Sequence, residues 1–280
     1  MKTLREQVIP LSLTVVTFFV LCTLLYSTLI LLNLLPSAEK IHPTLRLQDV
    51  LVGLTIYLKT SIDFAIFIGN LMHSNPGYKK RIAIEIGTAG GNALGTIAIL
   101  CLWNFFREVP LLMVVMIVIA SFVLLRMAEE SLEEFLGRNQ KNTPGKLHKS
   151  ISFVEQQLDF FNRFFKPLLG RLIPHTNITN VPTLTFWGLI TFAFTIPFIL
   201  GLDDFAGYIP LFSVINVFGF SVGVFLGHML LNIALFLSPE KTTKIVRHPV
   251  VLVIGGLAFV GIAAWGFYEV FHILHTSVFH

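Results

Sequence analysis

Asp63, Glu85 and the adjacent Asp203 and Asp204 interrupt otherwise apolar runs, as do Lys59 and His228. Ionisable groups inside a membrane core are costly and are usually kept for a function. Hard carboxylate oxygens are the usual protein ligands of divalent cations. Asp63, Asp203 and Asp204 are therefore expected to form a cation site, with amide oxygens from Asn92 and Asn232 and with Glu85 lining it or its vestibule. Carboxylates held this close repel one another, a strain that a divalent cation relieves more than a monovalent one. Each residue also has a plainer reading. Asp63 could pair with Lys59, four residues earlier on one helix face. Glu85 could be a solvated residue at a helix start, and the asparagines and His228 could simply hydrogen-bond between helices. Lys59 has a further role open to it, as a built-in counter-charge that is displaced when a cation binds.

The elements that must position these groups are membrane helices. Of the 280 residues, 54% are hydrophobic and only 13% charged, and the mean hydropathy is +0.77. Soluble domains carry nearly twice that charge. The net charge of +4 comes from basic residues in loops between apolar runs, where they report orientation and not nucleic-acid binding. There is no nucleotide-binding loop, no Ser/His or Cys/His arrangement and no metalloprotease motif, so the chain is expected to be neither an enzyme nor an ATP-driven pump. No cofactor is expected beyond a divalent cation as cargo, and the lipid bilayer is the expected surrounding partner.

In order, an N-terminal extra span covers 8–35 within a segment 1–36. Further spans are expected at 51–72, 82–106 and 110–126, the last with its helix continuing into the acidic stretch 129–134. The polar, basic linker 137–182 holds a segment, 149–169, whose Phe161, Phe164, Phe165 and Leu168 recur at helical spacing, as in a helix lying in the membrane interface. The apolar run from Thr183 is too long for one span and suits two, with a break near 216–219 and with Asp203 and Asp204 near the middle of the fifth span. The last span starts at Pro249.

The chain also repeats itself. DFAIFI at 63–68 returns as DFAGYI at 204–209, and each is followed at the same spacing by an asparagine, Asn75 or Asn216. Gly87 and Asn92 likewise match Gly227 and Asn232. Placing the N-terminus in the cytoplasm puts the Lys79-Lys80-Arg81 loop, the linker and the 241–247 loop inside as well, and the C-terminus outside, in agreement with the positive-inside rule. The expected fold is thus an all-α integral membrane protein of about seven transmembrane helices. It consists of the extra helix plus two inverted three-helix repeats, 51–128 and 183–272, an architecture that places a substrate site between the repeats near the midplane.

SIDFAIFIGN at 61–70, the glycine-rich helix after it, GLDDFAGYI at 201–209 and IGGLAFVGIAAWGFYEVFH at 254–272 resemble the LysE superfamily of small exporters, in character nearest its MntP-like manganese exporters and CadD-like cadmium-resistance members. The resemblance implies a three-plus-three inverted-repeat fold, export of a cation or small solute, and an acidic residue in the first helix of each repeat, matched here by Asp63 and by Asp203 or Asp204. The extra first span, the long linker and Lys59 depart from that pattern. The expected function is a plasma-membrane secondary transporter exporting a divalent, manganese-like cation, in exchange for protons. The alternatives are an exporter of an amino acid or other small organic solute, with Lys59 binding its carboxylate, or a structural membrane protein without cargo. The orientation is testable by itself: reporter fusions at Arg138 and His280 are expected on opposite sides of the membrane, and finding both on one side would refute it.

Overall fold

The computed structural model describes residues 4–35, 40–139, 145–172, 184–206 and 209–278; at 4–7, 62–63, 138–139, 145–147, 161–162, 164–172, 196, 199–206, 213 and 277–278 it describes the backbone alone. Lipid offers no partner to backbone N–H and C=O groups, so apolar runs close their hydrogen bonds internally as helices. Among the described residues every regular element is a helix. They are α1 (Leu4–Leu34), α2 (Leu47–Thr60), α3 (Ile62–Ser74), α4 (Tyr78–Phe106), α5 (Pro110–Asn139), α6 (Gly145–Leu172), α7 (Phe186–Ala206), α8 (Val217–Leu237), α9 (Pro239–Val246) and α10 (Pro249–Val278), with a 3-10 turn at Ile209–Ser213 before α8. Among the described residues five helices are long and apolar enough to cross a membrane: α1, α4, α5, α8 and α10. The bent pair α2 and α3 adds a sixth if it is counted as one span. Large apolar side chains such as Phe19, Phe105, Leu111, Ile254 and Phe271 point outward, a surface that only lipid would cover at low cost. The chain is a membrane-embedded helical protein.

The expected second span, 51–72, is not one helix. It breaks at Ser61, with a bend of 61° between α2 and α3. The polar run Lys59-Thr60-Ser61 stands at the break. The Thr60 hydroxyl donates to the Tyr57 carbonyl at 3.1 Å, which also accepts from the Ser61 N–H at 2.9 Å, and such side-chain competition bends helices. Lys59 therefore closes the last turn of α2 and Asp63 opens α3, instead of sharing the face of a single helix. The Asp203-Asp204 pair is also displaced from its expected place: it lies in the last turn of α7 and not at mid-span. By contrast, α5 continues unbroken through its acidic stretch, and α8 restarts at Asn216, where a break was expected.

The helices form two compact units. In the first, α2 lies along α8 and glycines set the spacing. A Cβ on Gly53 would meet the Phe220 carbonyl, and one on Gly223 would meet the Val50 carbonyl. Glycines of α4 do the same for α7: Gly87 faces Ile190 and Gly91 faces Phe194. The helix α1 packs on α4 and α8 through one stripe, Thr14, Leu21, Leu25, Leu29 and Leu32, and leaves its remaining apolar surface outward. In the second unit α5 pairs with α10, where Gly256 seats Leu132, and Phe122 meets Phe267 edge-on at 5.4 Å. The helix α6 lays Ile151 and Leu158 inward and leaves Phe153 and Phe160 exposed. Partial burial on this face raises the Glu155 carboxyl above its ordinary range, with Asp159, Glu129 and Glu133 adding repulsion. The four apolar residues expected to mark the α6 face, Phe161, Phe164, Phe165 and Leu168, fall outside the described side chains.

If backbone contact holds α2 on α8, Gly223→Ala overpacks the seam and is expected to lower stability in detergent by about 1–3 kcal/mol. A Cβ on Gly137 meets nothing within 4 Å, so Gly137→Ala is the control and should be neutral or slightly stabilising. Equal unfolding temperatures for the two variants would contradict the close approach.

Candidate functional site

Within the first unit, buried polar groups from α1, α2, α4 and α8 meet around Glu85. Glu85 stands about two turns into α4 and is fully buried. Its Oε1 accepts from the Thr17 hydroxyl of α1 at 2.8 Å, and its Oε2 accepts from the Asn232 side-chain amide of α8 at 2.8 Å. The same amide nitrogen lies 3.1 Å from His228 Nε2 and 3.4 Å from the Thr88 hydroxyl. On its other side, His228 Nδ1 meets the Tyr57 hydroxyl of α2 at 2.9 Å. The His228 ring lies within 6.0 Å of Tyr57 and 5.9 Å of Phe64, which belongs to α3.

The local sequence explains why these groups face one another. Glu85 and Thr88 are separated by three residues on α4, and His228 and Asn232 by four on α8, so each pair shares a helix face. Gly227, next to His228, removes the side chain that would hold α2 away: a Cβ there would stand 2.7 Å from the Tyr57 ring. The hydrogen-bond pattern assigns the protons. Asn232 Nδ2 has two hydrogens, one for Glu85 and one for His228 Nε2, so Nε2 is the acceptor and the ring carries its proton on Nδ1, donating to the Tyr57 oxygen. Asn232 Oδ1 is buried and unpartnered.

One amide nitrogen is thus surrounded by a carboxylate oxygen, an imidazole lone pair and a hydroxyl. Glu85 Oε2, His228 Nε2 and Thr88 Oγ1 are acceptors around the one position that this nitrogen fills, a mixed oxygen and nitrogen set that suits a borderline divalent cation if the amide swings aside.

Of the expected site residues, the structure brings Glu85, Asn232 and His228 together. Asn92 is buried further along α4, with its amide nitrogen unpartnered, and does not join the cluster. Lys59 is buried at the end of α2. The side chains of Asp63, Asp203 and Asp204 lie outside those described. Among the described residues no three of His, Cys, Asp and Glu stand close enough to hold a metal by themselves. Thr17, Tyr57 and Thr88 join the site without having been expected. Thr88 was open to detection, since it shares a face with Glu85; Thr17, one of six serine and threonine hydroxyls in a long apolar helix, carried no signal.

Two further asparagines bear on the repeat. Asn75, between α3 and α4, accepts through its Oδ1 from the Leu184 N–H just before α7, at 3.0 Å. Asn216, between the 3-10 turn and α8, donates through its Nδ2 to the His42 carbonyl on the approach to α2, at 2.9 Å. No family model, characterised protein or solved structure gives a significant match to this chain.

If Asn232 is the link that satisfies Glu85, Asn232→Leu strands a buried carboxylate oxygen and should lower stability by about 1–3 kcal/mol. Tyr57→Phe removes one hydroxyl at the edge of the network and should cost less. Thermal unfolding of both variants in detergent checks the order, and an Asn232→Leu protein as stable as the parent would break the assignment.

Proposed function

We propose that the chain is a secondary transporter that carries a divalent, manganese-like cation across the plasma membrane through the first unit, with Glu85, His228 and Asn232 as its ligands. The observation that carries this reading is the convergence of Glu85 Oε2 and His228 Nε2 on a single amide nitrogen, at 2.8 and 3.1 Å. An N–H group there stands in for a cation: it presents positive charge to both acceptors, and a cation takes its place when the Asn232 amide swings aside. A buried carboxylate can also hold a proton when no cation is bound and release it on binding, which supplies an exchange mechanism. Thr17 steadies the other carboxylate oxygen through either state.

The architecture of this reading is two inverted halves, α2 to α5 and α7 to α10, with α1 added in front and the N-terminus in the cytoplasm. Reciprocal packing supports it. In the first unit, α2 pairs with α8 and α4 with α7, so the opening helix of each half lies against the second helix of the other. Asn75 and Asn216, matched in sequence, each tie the hairpin of one half to the chain leading into the other. The resemblance to the LysE superfamily points the same way. In this arrangement Asp63, Asp203 and Asp204 are further carboxylates of the same pathway, and α6 rests on the inner leaflet.

Reconstituted in liposomes, the protein is expected to move Mn2+ down a gradient, and Glu85→Gln should reduce that flux at least tenfold while the protein folds, since a neutral amide is cheaper to bury than a charge. An amino-acid panel in the same vesicles separates the cation reading from export of an organic solute. Unchanged Mn2+ flux in Glu85→Gln would overturn the proposal.

A further inference from the structure

Glu85 is not the only buried carboxylate along the seam between α2 and α8. Asp49, in the first turn of α2, is 0% exposed, and both of its oxygens are without a hydrogen-bond partner. It packs on Gly219 in the first turn of α8. A Cβ on Gly219 would stand 2.9 Å from the Asp49 Cβ, 3.5 Å from its Oδ2 and 3.4 Å from the Thr44 carbonyl oxygen. A carboxylate oxygen and a carbonyl oxygen therefore border the same small space, and Gly219 is the residue that leaves it open. Arg46, the basic residue nearest in sequence, is exposed and makes no side-chain bond to cap α2.

An ionised carboxylate buried without a partner is strongly unfavourable, and the positive first turns of α2 and α8 compensate it only in part. The Asn216 side chain at the start of α8 does not supply one: it donates to His42 and caps α8 through its oxygen. What the pocket offers is oxygen alone, with one negative charge.

We propose that Asp49, with the Thr44 carbonyl, is a binding site for a sodium-sized monovalent cation. One carboxylate neutralises a single positive charge, whereas a divalent ion would retain an excess charge beside two positive helix ends. Asp49 packs closely on Gly219, with the Asp49 Cβ 2.9 Å from where a Gly219 Cβ would stand, so an ion held here must be small and largely dehydrated. From Gly219 to His228 the separation is about 14 Å along α8, so this site is distinct from the Glu85 cluster yet lies on the same pair of helices. Resting on the transport reading, the inference adds to the proton exchange at Glu85 a second, monovalent ion, held where α8 already meets the start of α2, at the far end of the seam that carries Tyr57 and His228.

The test is thermal unfolding of the purified full-length protein in detergent, in NaCl, KCl or choline chloride at equal ionic strength, with 22Na+ binding measured in parallel. Sodium is expected to raise the unfolding temperature by roughly 3–6 °C at about ten times its dissociation constant, and 22Na+ to bind saturably. Asp49→Asn and Asp49→Ser should lose both effects, and Glu85→Gln should keep them. Sodium binding thus stands or falls independently of Mn2+ flux, so failure of one reading does not mimic failure of the other. Where the Asp49 variants do not fold, the parent protein decides: no saturable 22Na+ binding, or identical melting in sodium and choline, overturns the site. Stabilisation that follows falling pH and ignores sodium also overturns it, since a proton then neutralises Asp49.

Discussion

Backbone meets backbone where α2 runs along α8, and glycine is the only residue that permits it: Gly53 stands against the Phe220 carbonyl and Gly223 against that of Val50. In lipid no hydrophobic force drives two apolar helices together, so close packing and hydrogen bonds between helices must do so. Once the two backbones touch, Tyr57 is held at hydrogen-bond distance from His228 and Asp49 is pressed beside Gly219. A side chain at any of these glycines would separate the helices by more than a hydrogen bond can span. The polar groups would then face one another across a gap that, inside a membrane, nothing but water or an ion could fill.

The same economy governs Glu85. It is fully buried, yet its described hydrogen-bond partners are neutral, the Thr17 hydroxyl and the Asn232 amide. A permanent salt bridge would lock the carboxylate in its ionised form and leave nothing for a cation to displace. Neutral donors satisfy its oxygens without pairing the charge. Asn232 can serve both Glu85 and His228 because its amide nitrogen carries two hydrogens.

Much of the architecture was legible in the sequence because it follows from hydropathy and loop chemistry. The continuation of α5 through its glutamates, the restart of α8 at Asn216 and the close approach allowed by Gly87 and Gly91 were all readable from composition and spacing. The break at Ser61 was not, because a short polar run inside an apolar one looks like an ordinary functional interruption; the bend depends on where the Thr60 hydroxyl turns. Within the site, Glu85, Asn232 and His228 were visible as polar residues in apolar helices. The partnership itself was hidden, since it depends on which face of α8 meets α4, and Thr17 enters only because α1 lies over both. Asp49 was overlooked for a related reason: next to a polar loop it reads as a solvated residue at a helix start, and only the approach of Gly219 buries it.

The two matched asparagines make the strongest link between sequence pattern and packing. A repeat seen only as similar letters could be coincidence in a chain this rich in Phe, Ile and Gly. Asn75 stands at the turn before α4 and reaches the chain just ahead of α7, and Asn216 stands at the turn before α8 and reaches the chain just ahead of α2. Asn75 does so as an acceptor and Asn216 as a donor, so the correspondence lies in position and not in copied chemistry. An asparagine can serve both places because its side chain holds one of each.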